Sequence, residues 1–324
     1  MNPNTDVGIT RYALSLPHAM GPKKPMHPAI RHPILRSFSS SGRSNASHIA
    51  KPLINQEETK AVNKAIKSGK LSPLDFAKKA KSFGIDAIEY VSGLYTNHTD
   101  TLEKMSMSKL GKELLKRSQD YGVDNVLIMI DSQGSLASSN NKERLEAIDN
   151  HKRWIDFSYK LGCETMRVNL SGEDNLEKWT ENSVKSLSVL SNYNKDLNVV
   201  VENHGGLSSN GKYLANVMSK VNIDNCGTLP DFGNFCIDGS PRLCAKWYDI
   251  YKGVKELMPY AHAVSAKSYH FDDNGDETSI DYSKMIDIVK DAGYKGYIGI
   301  EFEGNRMSED EGIIATKKLL EKLI

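Results

Sequence analysis

Three carboxylates in this sequence stand just after short apolar runs. Glu202 follows Val199-Val200-Val201, Asp231 follows Gly227-Thr228-Leu229-Pro230, and Glu301 follows Tyr297-Ile298-Gly299-Ile300. Carboxylates gathered in one cavity raise each other's pKa and need a neutralising partner. A divalent cation is the usual partner, and hard oxygen donors suit Mn2+ or Mg2+, with Co2+ or Zn2+ as further options. The ordinary alternative for any single Glu is an ion pair with a nearby Lys or Arg. That alternative weakens when three corresponding positions must all be explained. Such a cluster can bind an oxygen-rich substrate and move protons on it.

The positions acquire meaning from the elements that carry them. From about residue 70, amphipathic helical runs end near a glycine and a short β-rich run follows. Phe76–Phe83 precedes Gly84 and then Ile85–Val91; Leu110–Tyr121 precedes Gly122 and Val126–Asp131; Leu145–Leu161 precedes Gly162 and Thr165–Leu170. Glycine just past a helix supplies the left-handed cap conformation. Further strands are expected at Asn198–Glu202, Gly227–Asp231, Ala261–Lys267 and Tyr297–Glu301, with helical runs at 142–161, 176–194, 211–221, 242–258, 280–292 and 309–323. Seven strands after residue 80, alternating with helices, predict a parallel sheet. The spacing fits a (β/α)8 barrel; a doubly wound open sheet would call for a Gly-rich phosphate turn, and no G-x-G-x-x-G is present.

Barrel enzymes take their chemistry from the C-terminal ends of strands. Here the ends read Glu89, Asp131, Arg167 with Asn169, Glu202-Asn203-His204, Asp231, Ser265 with Lys267 and then His270, and Glu301 with Glu303. Period-two alternation sets Arg167 with Asn169, Glu202 with His204, and Glu301 with Glu303 on the barrel side.

Composition narrows the class. The chain has 324 residues, with 42 Lys+Arg against 41 Asp+Glu and a net charge of +1. No basic excess points to a nucleic-acid partner. With 39% hydrophobic residues and a mean hydropathy of −0.48, no run approaches the ~18 apolar residues of a membrane span. Cys163, Cys226, Cys236 and Cys244 lack paired zinc-knuckle spacing and are expected to be buried or incidental thiols. Residues 1–60, rich in Ser, Pro, Asn and His, are expected to form a mostly disordered extension before a barrel over 61–324, with a short strand possible at Val7–Leu16. The start lacks a basic region followed by an apolar one, so a cytoplasmic location is the default expectation.

At its strand ends the sequence resembles the sugar phosphate isomerase/epimerase family, with its xylose isomerase-like TIM barrel. The resemblance runs from about Asn63 to Ile324. It rests on Leu74–Ala80, Ile88-Glu89-Tyr90-Val91, Val201-Glu202-Asn203-His204-Gly205-Gly206, Leu229-Pro230-Asp231-Phe232-Gly233-Asn234-Phe235, Val264–Tyr269 and Gly299-Ile300-Glu301-Phe302-Glu303-Gly304. It implies one divalent metal held by Glu202, Asp231 and Glu301. The family's strand-seven histidine is replaced by Ser265, and His270 is the candidate to substitute for it; water is the alternative. The first strand also departs, because Ile54–Lys60 makes a poor one; either Val7–Leu16 serves instead or the strand is degraded.

The resemblance further implies proton transfer next to a sugar carbonyl through an enediolate, with Glu202 and Glu301 as the catalytic pair and Asp231 as a pure ligand. Glu89, Arg167, Asn169, His204, Lys267 and Glu303 are expected to bind substrate. For Arg167 and Lys267 the competing reading is a salt bridge to Glu89 or Glu303. The partner implied is a small carbohydrate, with no nucleic acid or membrane and with homo-oligomers possible. Two other functions stay open: a lyase eliminating β to a carbonyl on a keto-sugar or keto-glycoside, and a non-catalytic sugar-binding barrel. A barrel that cleaves abasic DNA would need more His ligands and a basic face.

Overall fold

A computed structural model describes residues 11–15, 72–96, 105–240 and 243–324. Among the described residues, ten strands form two sheets. The main sheet holds β1 (Arg11–Ser15), β2 (Ala87–Val91), β3 (Asp124–Met129), β4 (Thr165–Val168), β5 (Asn198–Glu202), β6 (Cys226–Leu229), β9 (Val264–Ser268) and β10 (Tyr297–Phe302). Their order is β6-β5-β4-β3-β2-β1-β10-β9. Parallel bridges Thr228↔Ala261 and Asp231↔Ser265 join the two ends, so the sheet closes on itself as a barrel.

The seven strands expected after residue 80 are present, and all their mutual pairings are parallel. The place of the first strand is taken by Arg11–Ser15, inside the segment expected to be an extension. It runs antiparallel to both neighbours, pairing Tyr12 with Ile88 on one side and with Ile300 on the other. The remainder of the expected extension lies outside the described residues.

Helices cover the outside, and their starts are written in the sequence. Ser106, Asn140, Asn175, Asn210, Asp249, Asp281 and Ser308 each cap a helix by accepting a backbone N–H. Such a cap is worth ~1 kcal/mol. Gly122 and Gly162 end their helices in the left-handed conformation. The apolar faces of strands and helices then meet in a single core. Trp179 is fully buried there, its Nε1 donating to Leu170 O at 3.0 Å. Among the described residues, no helix is long and apolar enough to cross a membrane.

Two expectations need correction in one place. The run 242–258 was expected to be helical throughout, but only Ile250–Leu257 is an α-helix, followed by a 3-10 turn at Met258–Tyr260. Leu243–Trp247 is instead strand β8, paired antiparallel with β7 (Cys236–Ser240) in a separate two-stranded sheet. Asp238 and Gly239 lie within β7, where the pairing with β8 shifts register as at a β-bulge. Gly239 has a positive φ of 99°, and a Cβ on it would lie 2.3 Å from Leu243 O, so only glycine fits that bulge. Pairing the strands brings the Cα atoms of Cys236 and Cys244 within 5.8 Å, and the two form a disulfide. These two are therefore not incidental thiols; Cys163 and Cys226 are free and buried as expected.

Candidate active site

Glu202 at the end of β5, Asp231 just past β6, and Glu301 in β10 are fully buried. One ligand oxygen from each lies within 4.8 Å of the other two. The barrel closure makes this possible. Ser265 N donates to Pro230 O at 2.9 Å and Phe232 N to Ser265 O at 3.0 Å, which sets Asp231 against β9. Lys267 stands opposite Glu301 in the parallel register of β9 and β10.

Each carboxylate is held by its own partners. Arg167 Nε lies 2.9 Å from Glu202 Oε2, and Asn234 Nδ2 donates to Glu202 Oε1 at 3.0 Å. Asp231 Oδ1 accepts from the backbone N–H groups of Gly233 and Asn234 at 2.9 and 2.8 Å. Glu301 accepts from Ser265 Oγ at 2.9 Å and from Lys267 Nζ at 2.5 Å. The Asn203 side chain locks the Asp231 main chain, accepting from its N–H at 2.7 Å and donating to its carbonyl at 2.9 Å. Asn203 and Asn234 were not among the expected site residues. Both sit inside the very stretches that carry the resemblance, and an amide beside a buried carboxylate was the available signal.

The two basic residues face inward as internal counter-ions. Besides Glu202, Arg167 contacts Asp131, with Nη1 to Oδ1 at 2.6 Å. Lys267 Nζ lies 3.0 Å from Glu303 Oε1 and 3.9 Å from Asp231 Oδ2. Burial pulls the Lys267 pKa down, but Asp231, Glu301 and Glu303 together outweigh it and hold the ammonium well above its usual range. A Cβ on Gly233 would come 2.7 Å from Lys267 Cγ, so only glycine lets the lysine pass into the cluster.

The donor set can be tested against a divalent ion. Five carboxylates, Asp131, Glu202, Asp231, Glu301 and Glu303, gather around two basic side chains, Arg167 and Lys267. Negative charge therefore exceeds positive charge around three close carboxylate oxygens. That arrangement fits a hard cation bound through oxygen.

The remaining expected residues are placed less uniformly. Glu89 is buried in β2. Its neighbour Tyr90 packs on Phe76 of the helix layer, which leaves Glu89 on the barrel side. Asn169 is half-buried and donates to Asp131 at 3.2 Å. His204 lies beyond the end of β5 in an exposed loop, its N–H donating to Ser208 Oγ. His270 stands apart from the three-carboxylate group. Its backbone N–H is tied to Glu277, its Nδ1 is buried without a hydrogen-bond partner among the described residues, and its ring lines the neighbouring cavity with Glu303.

Comparison with known proteins places this geometry in context. The family model described as xylose isomerase-like TIM barrel matches residues 77–323. Among solved structures, the chain superposes on a D-psicose 3-epimerase from Clostridium cellulolyticum H10 with D-tagatose. The TM-score is 0.61 at 12% identity, covering 78% of this chain and 94% of that one. A xylose isomerase-like TIM barrel protein from Mycobacterium smegmatis in complex with magnesium gives a TM-score of 0.54 at 15% identity, covering 77% and 87%. At these identities the likeness is one of fold. A local sequence match, 42% identical over 48 residues, is to the 3'-dehydrocarminate deglycosidase alpha subunit of a Microbacterium species. It covers 15% of this chain and 14% of that relative's own length.

Proposed function

The chain belongs to the xylose isomerase-like TIM barrel family, and from that premise we propose that it moves a proton next to the carbonyl of a keto-sugar, as an isomerase or epimerase. The observation that supports this most is the burial of Glu202, Asp231 and Glu301 with their ligand oxygens within 4.8 Å of one another. When bound there, a divalent ion, Mn2+ or Mg2+ before Co2+ or Zn2+, would supply Lewis-acid stabilisation of negative charge. Glu202, Asp231 and Glu301 would hold it.

Glu202 and Glu301 then take and return the proton. They rise from non-neighbouring strands, β5 and β10, and so can approach a sugar from two sides. Arg167 orients Glu202 through the 2.9 Å contact, and Ser265 orients Glu301 through its hydroxyl. Asp231, fixed by two backbone N–H groups, serves as ligand only. Glu89, Asn169, His204 and Glu303 are assigned to sugar hydroxyls, and His270 to the substrate or the ion from the cavity wall. Lys267 and Arg167 act through the carboxylates they touch.

A lyase is the second reading, favoured by the match to a deglycosidase subunit. It shares the first step: once the proton beside the carbonyl is removed, a group β to that carbonyl can leave. Both readings are tested by incubating keto-sugars in D2O with Mn2+ and following loss of the C–H signal beside the carbonyl by NMR. Glu202→Gln is expected to slow exchange about a hundredfold or more. Undiminished exchange removes the assignment, and exchange accompanied by release of an aglycone selects the lyase.

A further inference from the structure

The cavity that begins at Glu303 is larger than a single sugar ring requires. It encloses about 990 Å3, near the top of the ~300–1,000 Å3 typical of sites that enclose drug-sized molecules. Glu303 is the wall residue that touches the charged cluster, through its contact with Lys267. The lining is divided in chemistry. Glu303, His270 and Asn305 offer polar groups suited to sugar hydroxyls, whereas Ile250, Met307 and Trp247 offer apolar surface.

Trp247 stands out in that wall. It lies on the last residue of β8 and remains 49% exposed, while the other two tryptophans, Trp154 and Trp179, are buried. The hairpin holds it in place. Trp247 pairs with Cys236 in the β7–β8 register, and Cys236 is bonded to Cys244. Just beyond that pair Phe235 stacks on Tyr248, with ring centroids 6.4 Å apart. A large aromatic face is thus fixed before any ligand arrives, which reduces the ordering cost of binding.

We infer that Trp247 is a stacking platform for the aryl aglycone of a glycoside whose sugar ring reaches Glu303, the wall residue next to the carboxylate group. The inference uses the proton-transfer reading only to orient the sugar. A sugar is hydroxylated around its ring and matches the polar part of the wall. The apolar part matches an aromatic group, for which Trp offers offset stacking. Trp247 is a specificity residue in this assignment, and it takes no part in the proton transfer.

Binding tests this without turnover. Trp247 is the only tryptophan of the chain with substantial exposure, so its emission reports the site directly. Phenyl β-D-glucopyranoside and methyl β-D-glucopyranoside are titrated against the whole chain, with iodide quenching before and after saturation. The phenyl glycoside is expected to bind about tenfold tighter than the methyl one, as one stacked ring implies, and to shield Trp247 from iodide. Trp247→Ala should bring the two within about twofold, and Trp247→Phe should keep most of the preference. Equal affinities in the unaltered protein, or a preference that survives Trp247→Ala, would overturn the inference. So would a Trp247 already shielded from iodide in a ligand-free dimer, which would assign the residue to contact between copies. Loss of proton exchange in Glu202→Gln with the phenyl preference intact separates this inference from the catalytic reading.

Discussion

Lys267 Nζ lies 2.5 Å from Glu301 Oε1, and the two residues are direct partners across the parallel strands β9 and β10. The register of the sheet therefore places an ammonium inside the carboxylate group itself. It also stands two residues from Ser265, which donates to the other oxygen of the same Glu301. A unit charge and a divalent ion about 5 Å apart repel by several kcal/mol even at an effective dielectric of about 20. Lys267→Met is expected to tighten Mn2+ binding about tenfold or more by calorimetry. Without metal the variant should melt lower, because removing one partner of a buried ion pair is destabilising by ~3–5 kcal/mol. Unchanged Mn2+ affinity in the variant would show that the lysine does not compete.

Arg167 makes the corresponding contact on the opposite side of the cluster. Its guanidinium reaches both Glu202 and Asp131 from a nearly inaccessible position. Arg167→Met should destabilise the fold by ~3–5 kcal/mol. Arg167→Lys keeps the charge but not the forked geometry. It should recover most of the stability while proton exchange stays depressed. Urea denaturation of both variants, set beside their exchange rates, checks this; full exchange in Arg167→Lys would remove the orienting role.

His151 predicts a pH dependence of stability. Burial holds its pKa down to about 4 from an ordinary 6.5, although a hydrogen bond with Ala147 O at 2.7 Å and the charge of Asp131 work in the other direction. The folded state thus takes up this proton less readily than the unfolded chain. Its contribution is fully present above pH 6.5 and is lost as the pH falls from there toward 4. About 3 kcal/mol should disappear over that window. His151→Gln should flatten the dependence of the urea midpoint on pH between those limits; an unchanged slope would contradict it.

The disulfide between Cys236 and Cys244 closes a short loop, with a sequence separation of 8. Loop-closure entropy for such a ring is roughly 2.5 kcal/mol. The hairpin forms its own two-stranded sheet, so reduction should loosen it locally. Mild reductant is expected to open β7–β8 to proteolysis while the helical circular dichroism of the barrel is unchanged. Collapse of the whole helical signal would show that the bond supports the barrel itself.

Much of this was legible in the sequence because two signals agree there. Strands β3 and β4 each follow an amphipathic helix capped by glycine, and β5, β6 and β10 follow amphipathic helical runs, so both their number and their ends could be read. Since strand ends carry the chemistry of a barrel, Glu202, Asp231 and Glu301 followed. Two features were not legible, for different reasons. The pairing of Lys267 with Glu301 and of Arg167 with Glu202 depends on register across the barrel, which no local pattern encodes. The β7–β8 hairpin lies in a run whose apolar residues, Leu243, Ala245, Trp247 and Tyr248, suit a strand and a helix equally well. The irregular register at Asp238-Gly239 and the disulfide between Cys236 and Cys244 decide between them only once the strands meet.

Strands β6 and β9 share no continuous ladder; two isolated bridges, Thr228↔Ala261 and Asp231↔Ser265, join them. The barrel therefore has a seam, and one of its two stitches is made by a member of the carboxylate group. Whatever draws Glu202, Asp231 and Glu301 together also pulls β5, β6 and β10 inward across that joint. Occupancy of the site and mechanical closure of the barrel become one equilibrium, so a ligand that binds the closed form must raise resistance to unfolding by the same free energy with which it binds. The amides of Ser265 and Phe232, which sew the seam, are where hydrogen exchange would first register a bound ligand.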